Sequence, residues 1–293
     1  MAVITLDAST ARRSAPWIRQ RESVLTLMLL LPGLLGFGGL FLYPILVTIA
    51  TSLHPMNSAA WTLDNYAMFL GSAKGWGVIG MTFVLSVSAT MFSVVISVPL
   101  ALVLREEIWG RRFFRALILT PLMIPSLIGV LGLLLIFRST GWINLFLTQV
   151  LQVIAEPLRV NYTLGGLILF YIWMFFPFTA LTTLSSLEGL DRSVEEAAEV
   201  VGANRWQVIW HIIVPLIIPG VLAGSIMTFL LSFGAFSVPL IAGGDNRPIA
   251  VTVYTTSAVF GQWEQGSAIA MVMAIFQVSF LMVYSSILRR RRS

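Results

Sequence analysis

Residues 76–104 read WGVIGMTFVLSVSATMFSVVISVPLALVL, 29 residues in a row without a single charge. A helix needs roughly 20 apolar residues to cross about 30 Å of hydrocarbon, so this run is long enough to span a bilayer. Five more apolar runs are found outward from it, at 24–50, 116–137, 162–184, 214–241 and 265–288. Helices are the expected form, because a helix satisfies its own backbone hydrogen bonds inside lipid. The first run is too long for the core of a cleaved signal peptide and no A-x-A site follows it, so it reads as a retained span. The fold class expected is all-α, a polytopic membrane protein with about six transmembrane helices.

Composition agrees with this pattern. Of 293 residues, 57% are hydrophobic and 11% charged, and the mean hydropathy is +0.90. A soluble domain has about a quarter of its residues charged. There is no cysteine, which excludes a disulfide framework and a thiolate metal site. His54 and His211 are too few and too far apart to suggest a metal cluster. A net charge of +5 would hint at nucleic acid in a soluble chain. Here the placement of the charge carries the information, and no nucleic-acid partner is expected.

Six spans put both termini on one side, with segments 1–23, 105–115, 185–213 and 289–293. These segments hold 14 of the 18 basic residues, among them Arg12, Arg13, Arg105, Arg111, Arg112, Arg115, Arg192 and Arg205. The opposite side holds Lys74, Arg138, Arg159 and Arg247. The positive-inside rule therefore places both termini in the cytoplasm. All 31 charged residues fall outside the six runs. Ion-coupled carriers usually keep ionisable groups at membrane depth, and membrane-embedded hydrolases need Asp, His or Ser constellations there. No G-x-x-x-x-G-K-[ST] phosphate loop is present. Energy for any pumping must come from another polypeptide, so the chain reads as a transport subunit rather than an enzyme. A secondary carrier or channel remains the alternative.

The longest interior loop on the basic side lies within residues 184–219, LSSLEGLDRSVEEAAEVVGANRWQVIWHIIVPLIIP. Its pattern predicts two short helices. Ser193 and Glu196 form an S-x-x-E capping box for the first. Val194, Ala197, Ala198 and Val201 share one face, with Glu195 and Glu199 to the other side. Gly202 suits a left-handed terminus. Asn204, with Gln207 three residues later, caps the second helix, whose apolar stripe is Trp206, Ile209, Trp210 and Ile213. Pro215 lies where the chain re-enters the bilayer. An apolar, small-residue face beside carboxylates suits docking into a groove of a soluble partner. An amphipathic helix lying on the membrane surface is the alternative, although such helices favour Lys and Arg over Glu.

Glu196-Ala197-Ala198, three residues, Gly202, nine residues and Ile212-Ile213-Val214-Pro215 resemble the E-A-A-x3-G-x9-I-x-L-P signature of binding-protein-dependent importer permeases. Val214 stands where Leu is usual. Further stretches are similar to the same family: Leu31-Pro32 to Tyr43-Pro44, Thr62-Leu63-Asp64-Asn65-Tyr66, Gly110-Arg111-Arg112-Phe113-Phe114-Arg115 leading into Pro121 and Pro125, and Gly141 to Asn144. The resemblance implies the permease subunit of a bacterial ATP-binding-cassette importer in the inner membrane. It implies a cytoplasmic tail at 1–23, a membrane domain at 24–288 with a coupling loop at 185–213 between spans 4 and 5, and a basic tail at 289–293. The implied partners are a cytoplasmic ATPase dimer, which carries the ATP and magnesium, a second permease, homologous or identical, and an extracytoplasmic solute-binding protein. No cofactor is implied on this chain. Glu195 or Glu196 would pair with a basic residue of the ATPase, Ala197 and Ala198 would pack in its groove, Gly202 would set the turn, and Pro215 closes the signature.

Residues 231–244, LSFGAFSVPLIAGG, resemble the polyamine, ferric-iron and phosphonate branch, where S-x-G-D-F-x-x-P-x-x-x-G-G is common. Ala235 stands where that branch often has Asp, which weakens the case for a cation; sugar permeases are the runner-up. Candidate solute contacts are Thr120, Ser126, Tyr171, Thr179, Ser232 and Ser237. Ser and Thr at such positions also bond to their own helix backbone. Pro121, Pro125, Pro177 and Pro239 are expected to kink their helices. Trp17, Trp61, Trp76, Trp142 and Trp263 read as interfacial anchors.

Overall fold

The structure, a computed structural model, describes residues 16–55 and 60–290. The expected tails are therefore seen only in part: Arg12, Arg13 and residues 291–293 lie outside the described residues, as does the side chain of Trp17. The helices are α1 (Pro16–Phe37), α2 (Tyr43–Ser52), α3 (Asp64–Leu70), α4 (Ala73–Arg105), α5 (Arg111–Met123), α6 (Ser126–Ile136), α7 (Trp142–Leu145), α8 (Leu164–Glu188), α9 (Ser193–Val200), α10 (Arg205–Val208), α11 (Val214–Phe233), α12 (Ser237–Ala242), α13 (Ile249–Tyr254) and α14 (Trp263–Arg290). No strand occurs among the described residues.

The chain divides into two compact units, residues 1–51 and 52–293. In the first, α1 continues through the π-helical turn Gly38–Leu42 into α2. The segment Met28–Ser52 is apolar and long enough to span. A wide turn of the same kind, Ile209–Ile213, leads into α11 in the second unit. Each of these two turns ends two residues before a proline, Pro44 or Pro215. A proline offers no N–H to the preceding turn and clashes with its carbonyl, and the wider turn makes room for it.

Four further segments pass the length and hydropathy test for a span: Ala73–Arg105, Leu164–Glu188, Arg205–Phe233 and Trp263–Ser286. The run expected as one third span, kinked at Pro121 and Pro125, is two helices, α5 and α6, bent by 110°. Pro125 is the cause. It drives Ile124 out of the helical region, to φ −92° and ψ 126°, because its ring collides with the backbone of the residue before it. The fifth apolar run also stops early, at Phe233, and its remainder becomes the separate α12.

The bent pair nevertheless follows α8 along its length. Arg111 and Arg115, at the start of α5, pair with Glu188 at the last residue of α8. Ile118 packs with Ala180 and Leu184, Gly129 lies against Trp173, and Phe137 meets Phe170 with ring centres 6.0 Å apart. Just before α8, Asn161 donates to the Leu134 carbonyl at 2.8 Å.

The centre of the second unit is the meeting of α4, α8 and α11. Small residues allow it: Gly220 and Gly224, one turn apart on α11, lie against Thr179, Thr182 and Ser186 of α8. Lipid tails are as apolar as leucine, so close backbone approach and interhelical hydrogen bonds hold such helices together. Thr179 and Thr228 supply one such bond at 2.8 Å. Thr82 on α4 accepts the backbone N–H of Ile249, satisfying the first turn of α13.

Two spans begin with the same device. Ser72 caps α4 by accepting from Gly75 N–H, and Thr163 caps α8 by accepting from Gly166 N–H. Both third residues must be glycine, since a Cβ would fall 2.0 Å from the Phe69 carbonyl oxygen or 1.9 Å from that of Val160.

Candidate coupling site

The loop between α8 and α11 forms the two short helices expected. Its start differs from the sequence expectation. Ser193 is inside α9, and no side-chain cap comes from the residue preceding the helix. Asp191 takes that role, its Oδ1 accepting the Ser193 N–H at 2.9 Å. That bond holds the Asp191 carboxyl below its ordinary range, chiefly by stabilising the charged form. The Ser193–Glu196 capping box is not formed, and Glu196 is left pointing outward, exposed.

The end of α9 is as expected. Gly202 has φ +92°. Its N–H donates to the Glu199 carbonyl and the Ala203 N–H to the Ala198 carbonyl, each at 3.0 Å. These two bonds make a Schellman motif, which needs a left-handed residue at this point. Asn204 and Gln207 then form a reciprocal capping box for α10, with bonds of 2.8 and 2.9 Å.

The two apolar stripes split between inside and outside. Val208, Ile213 and Ile217 bury against Leu187, with Ala198 packed on the same cluster. Val200 and Val201 stay 86% and 83% exposed, and Trp206 and Trp210 stay 71% and 62% exposed. Ala197 and Glu196 are exposed as well. Pro215 is exposed at the start of α11.

The opposite side of the loop is held by charge. Glu195 is not an outward carboxylate: it pairs with Arg105, the last residue of α4, which is 6% exposed. Glu188 accepts from Arg111 at 2.8 Å and also from Arg115. Arg205 approaches Glu106 at 3.5 Å. Every one of these ion pairs joins the α4–α5 connection to the α8–α10 segment. Sequence reading missed the arrangement, because the partners are 73 to 90 residues apart for the hydrogen-bonded pairs. The available signal was the concentration of arginines at 105–115 and glutamates at 188–199 on one predicted side.

The six polar residues singled out within the spans do not converge on one point. Ser126 donates to Ser237 at 3.1 Å, joining the break before α6 to the start of α12. Thr120 bonds to the Ala116 carbonyl and Ser232 to the Phe229 carbonyl, one helical turn back in each case. Thr179 is tied to Thr228. Tyr171 is fully buried, with its ring edge-on to Phe175 at 5.7 Å. On the other side of the molecule, Asn144 is fully buried and ties the 138–158 loop together. Its amide donates to the carbonyls of Phe137, Arg138 and Leu158, and its oxygen accepts the Leu158 N–H. Among the described residues, no group of His, Cys, Asp and Glu could hold a metal ion.

The family described as binding-protein-dependent transport system inner membrane component matches residues 93–292. The spermidine/putrescine transport system permease protein PotB of Salmonella typhimurium (strain SL1344) is 30% identical over 261 residues, covering 86% of this chain and 90% of the relative. Among solved structures, a bacterial ABC transporter involved in the import of the acidic polysaccharide alginate superimposes with a TM-score of 0.80 at 19% identity, over 94% of this chain and 98% of that one. The same transporter type in complex with its alginate pentasaccharide-bound periplasmic protein gives 0.76 at 19% identity, over 94% and 97%.

Proposed function

This chain belongs to the binding-protein-dependent transport system inner membrane components, and we infer from that premise that its 193–213 segment is the docking point for a cytoplasmic ATPase. The chain is the permease subunit of an ATP-binding-cassette importer, a multi-pass inner-membrane protein whose relatives are themselves permeases rather than enzymes. One observation carries the docking reading: the tightly capped 193–213 segment leaves Val200, Val201, Trp206 and Trp210 exposed, together with the carboxylate of Glu196. Large exposed side chains on a rigid base are the pattern of a protein interface. Ala197 allows close approach, Glu196 meets a basic residue of the ATPase, and Gly202 and Pro215 set the geometry of the loop. ATP and magnesium then belong to the ATPase dimer, and this chain hydrolyses nothing itself. A second permease, identical or homologous, completes the pathway, and both termini face the cytoplasm.

The solute class favoured is a polyamine, on the strength of the spermidine/putrescine permease relative. A periplasmic binding protein delivers it. Ferric iron, phosphonate and sugar are the competing outcomes. Two measurements test the reading. The ATPase should co-purify with the wild-type permease, and its absence would remove the docking assignment. Thermal-shift screening of the cognate binding protein should respond to polyamines. A response to sugars or phosphonates alone would overturn the solute assignment and leave the permease assignment standing.

A further inference from the structure

We propose that Arg105 is a positioning residue that locks the coupling helix α9 to the cytoplasmic end of α4, so that the two move as one body. The proposal rests on the reading of α9 as the ATPase-docking helix.

The argument begins with burial. Arg105 is 6% exposed at the end of a 33-residue helix. Taking a guanidinium out of water is costly unless a counter-charge and hydrogen bonds replace the water. Among the described residues, Glu195 is its one ion-pair partner, and its Nη2 is buried without a hydrogen-bond partner. The attraction to Glu195 is therefore the main compensation that the buried cation has. Separating the pair would leave that charge unpaired inside the protein, the costly way to break a buried salt bridge. Such a contact resists hinging more than an apolar contact of the same size.

Neighbouring contacts work in the same direction. Glu188, just before α9, is held by Arg111 and Arg115, and Arg205, just after it, approaches Glu106. These three pairs are more exposed, so water and salt weaken them. Among the described ion pairs, Arg105–Glu195 is the most shielded. The sequence EE at 195–196 thus divides its work: Glu195 faces inward as a strut and Glu196 faces outward toward the partner. Force applied at the docking surface reaches α4 directly through the strut, and α4 packs against α8 and α11 along the membrane.

The test uses the full importer in lipid nanodiscs or proteoliposomes. The chain has no native cysteine, so spin labels at Glu107→Cys and Glu199→Cys, placed in one permease copy per importer with any cysteines of the partner subunits replaced, report one distance. In wild type that distance should be the same without nucleotide and with ATP bound. A shift between the two states would overturn the proposal, whatever any mutant does. Arg105→Gln should keep the ATPase at the wild-type ratio, broaden the label distance, and lower uptake by about tenfold or more, with more ATP hydrolysed per solute. Arg105→Lys, which keeps the charge, should recover part of the loss. Normal uptake and normal ATP cost in Arg105→Gln would sink the strut. Failure of the ATPase to bind wild type would instead sink the docking reading.

Discussion

Gly224 of α11 lies so close to Thr182 of α8 that a Cβ on the glycine would fall 2.0 Å from the threonine Oγ1. It would also fall 2.7 Å from Thr179 Cα, which is backbone and cannot rotate away. One turn earlier, a Cβ on Gly220 would come within 2.3 Å of Ser186 Cβ. The two glycines set the separation of α8 and α11. Gly224→Val should force the helices apart at a cost of about 1–3 kcal/mol, seen as a lower melting temperature in detergent and less protein in the membrane. Gly132→Val is the control, since nothing lies within 4 Å of its Cβ position. Equal behaviour of the two variants would mean that the close approach does not matter to stability.

Gly202 presents the opposite situation. A Cβ there would meet nothing within 4 Å, but the backbone sits at φ +92°. Gly202→Asp therefore strains only the turn, by about 1 kcal/mol or more, and adds a charge beside the docking surface. The six apolar runs lie elsewhere and should still insert. The expected result is near-normal permease in the membrane with weakened ATPase recovery and lost uptake. Normal uptake together with normal ATPase recovery would make the loop a passive connector.

The same surface offers a charge test and an apolar test. Glu196→Lys should repel a basic partner residue and reduce ATPase recovery without touching the Arg105 pair. Trp206→Ala should weaken association by about 2 kcal/mol, roughly thirtyfold in affinity, as for a buried aromatic anchor of an interface. Titration of detergent-solubilised permease with purified ATPase measures both. Wild-type affinity in both variants would move the docking surface elsewhere on the chain.

Much of this was legible in the sequence because it depends on local pattern. The apolar runs, the left-handed Gly202 and the Asn204–Gln207 box are each decided within a few residues. The bend at Pro125 was only half legible. A proline marks a break, but the angle depends on what each half packs against, and α6 packs on α12 across more than a hundred residues of chain. Asp191 displaced Ser193 as the cap because a carboxylate two residues upstream is a strong acceptor, and the S-x-x-E pattern hid it. The pairing of Glu195 with Arg105 depends on helix packing and has no local signature at all.

Asp191 gives a prediction with a sign. Its carboxyl titrates below the usual range because it accepts the Ser193 N–H. Its contribution to the start of α9 is therefore complete above about pH 4, the ordinary carboxylate value, and is lost as pH falls through the depressed value. Asp191→Ala should loosen the first turn of α9 at neutral pH, whereas Asp191→Asn, which keeps an acceptor oxygen, should not. Amide exchange at Ser193 and Val194 reads this directly. Equal protection in Asp191→Ala and wild type would show that the cap adds nothing.

The bend between α5 and α6 leaves two topologies by length alone, five crossings or six. The packing decides between them. A re-entrant pair would begin and end near the same end of α8. Here the pair begins beside Glu188, at one end of α8, and ends beside Asn161, next to the other. Between those points it meets Leu184, Trp173 and Phe170 in descending order along α8. The pair therefore runs antiparallel to α8 from one end to the other, the course expected of a bent but complete crossing. Reporter fusions after Glu107 and Leu190 should then both report cytoplasm, as should a fusion at the C-terminus. Fusions after Asn65, Leu151 and Asp245 should report the outer side. The 14 basic residues on the first set of segments against four on the second predict the same polarity. The discriminating positions are Glu107 and Leu151: a cytoplasmic signal at both would make the α5–α6 pair re-entrant and invert the side assigned to everything after it.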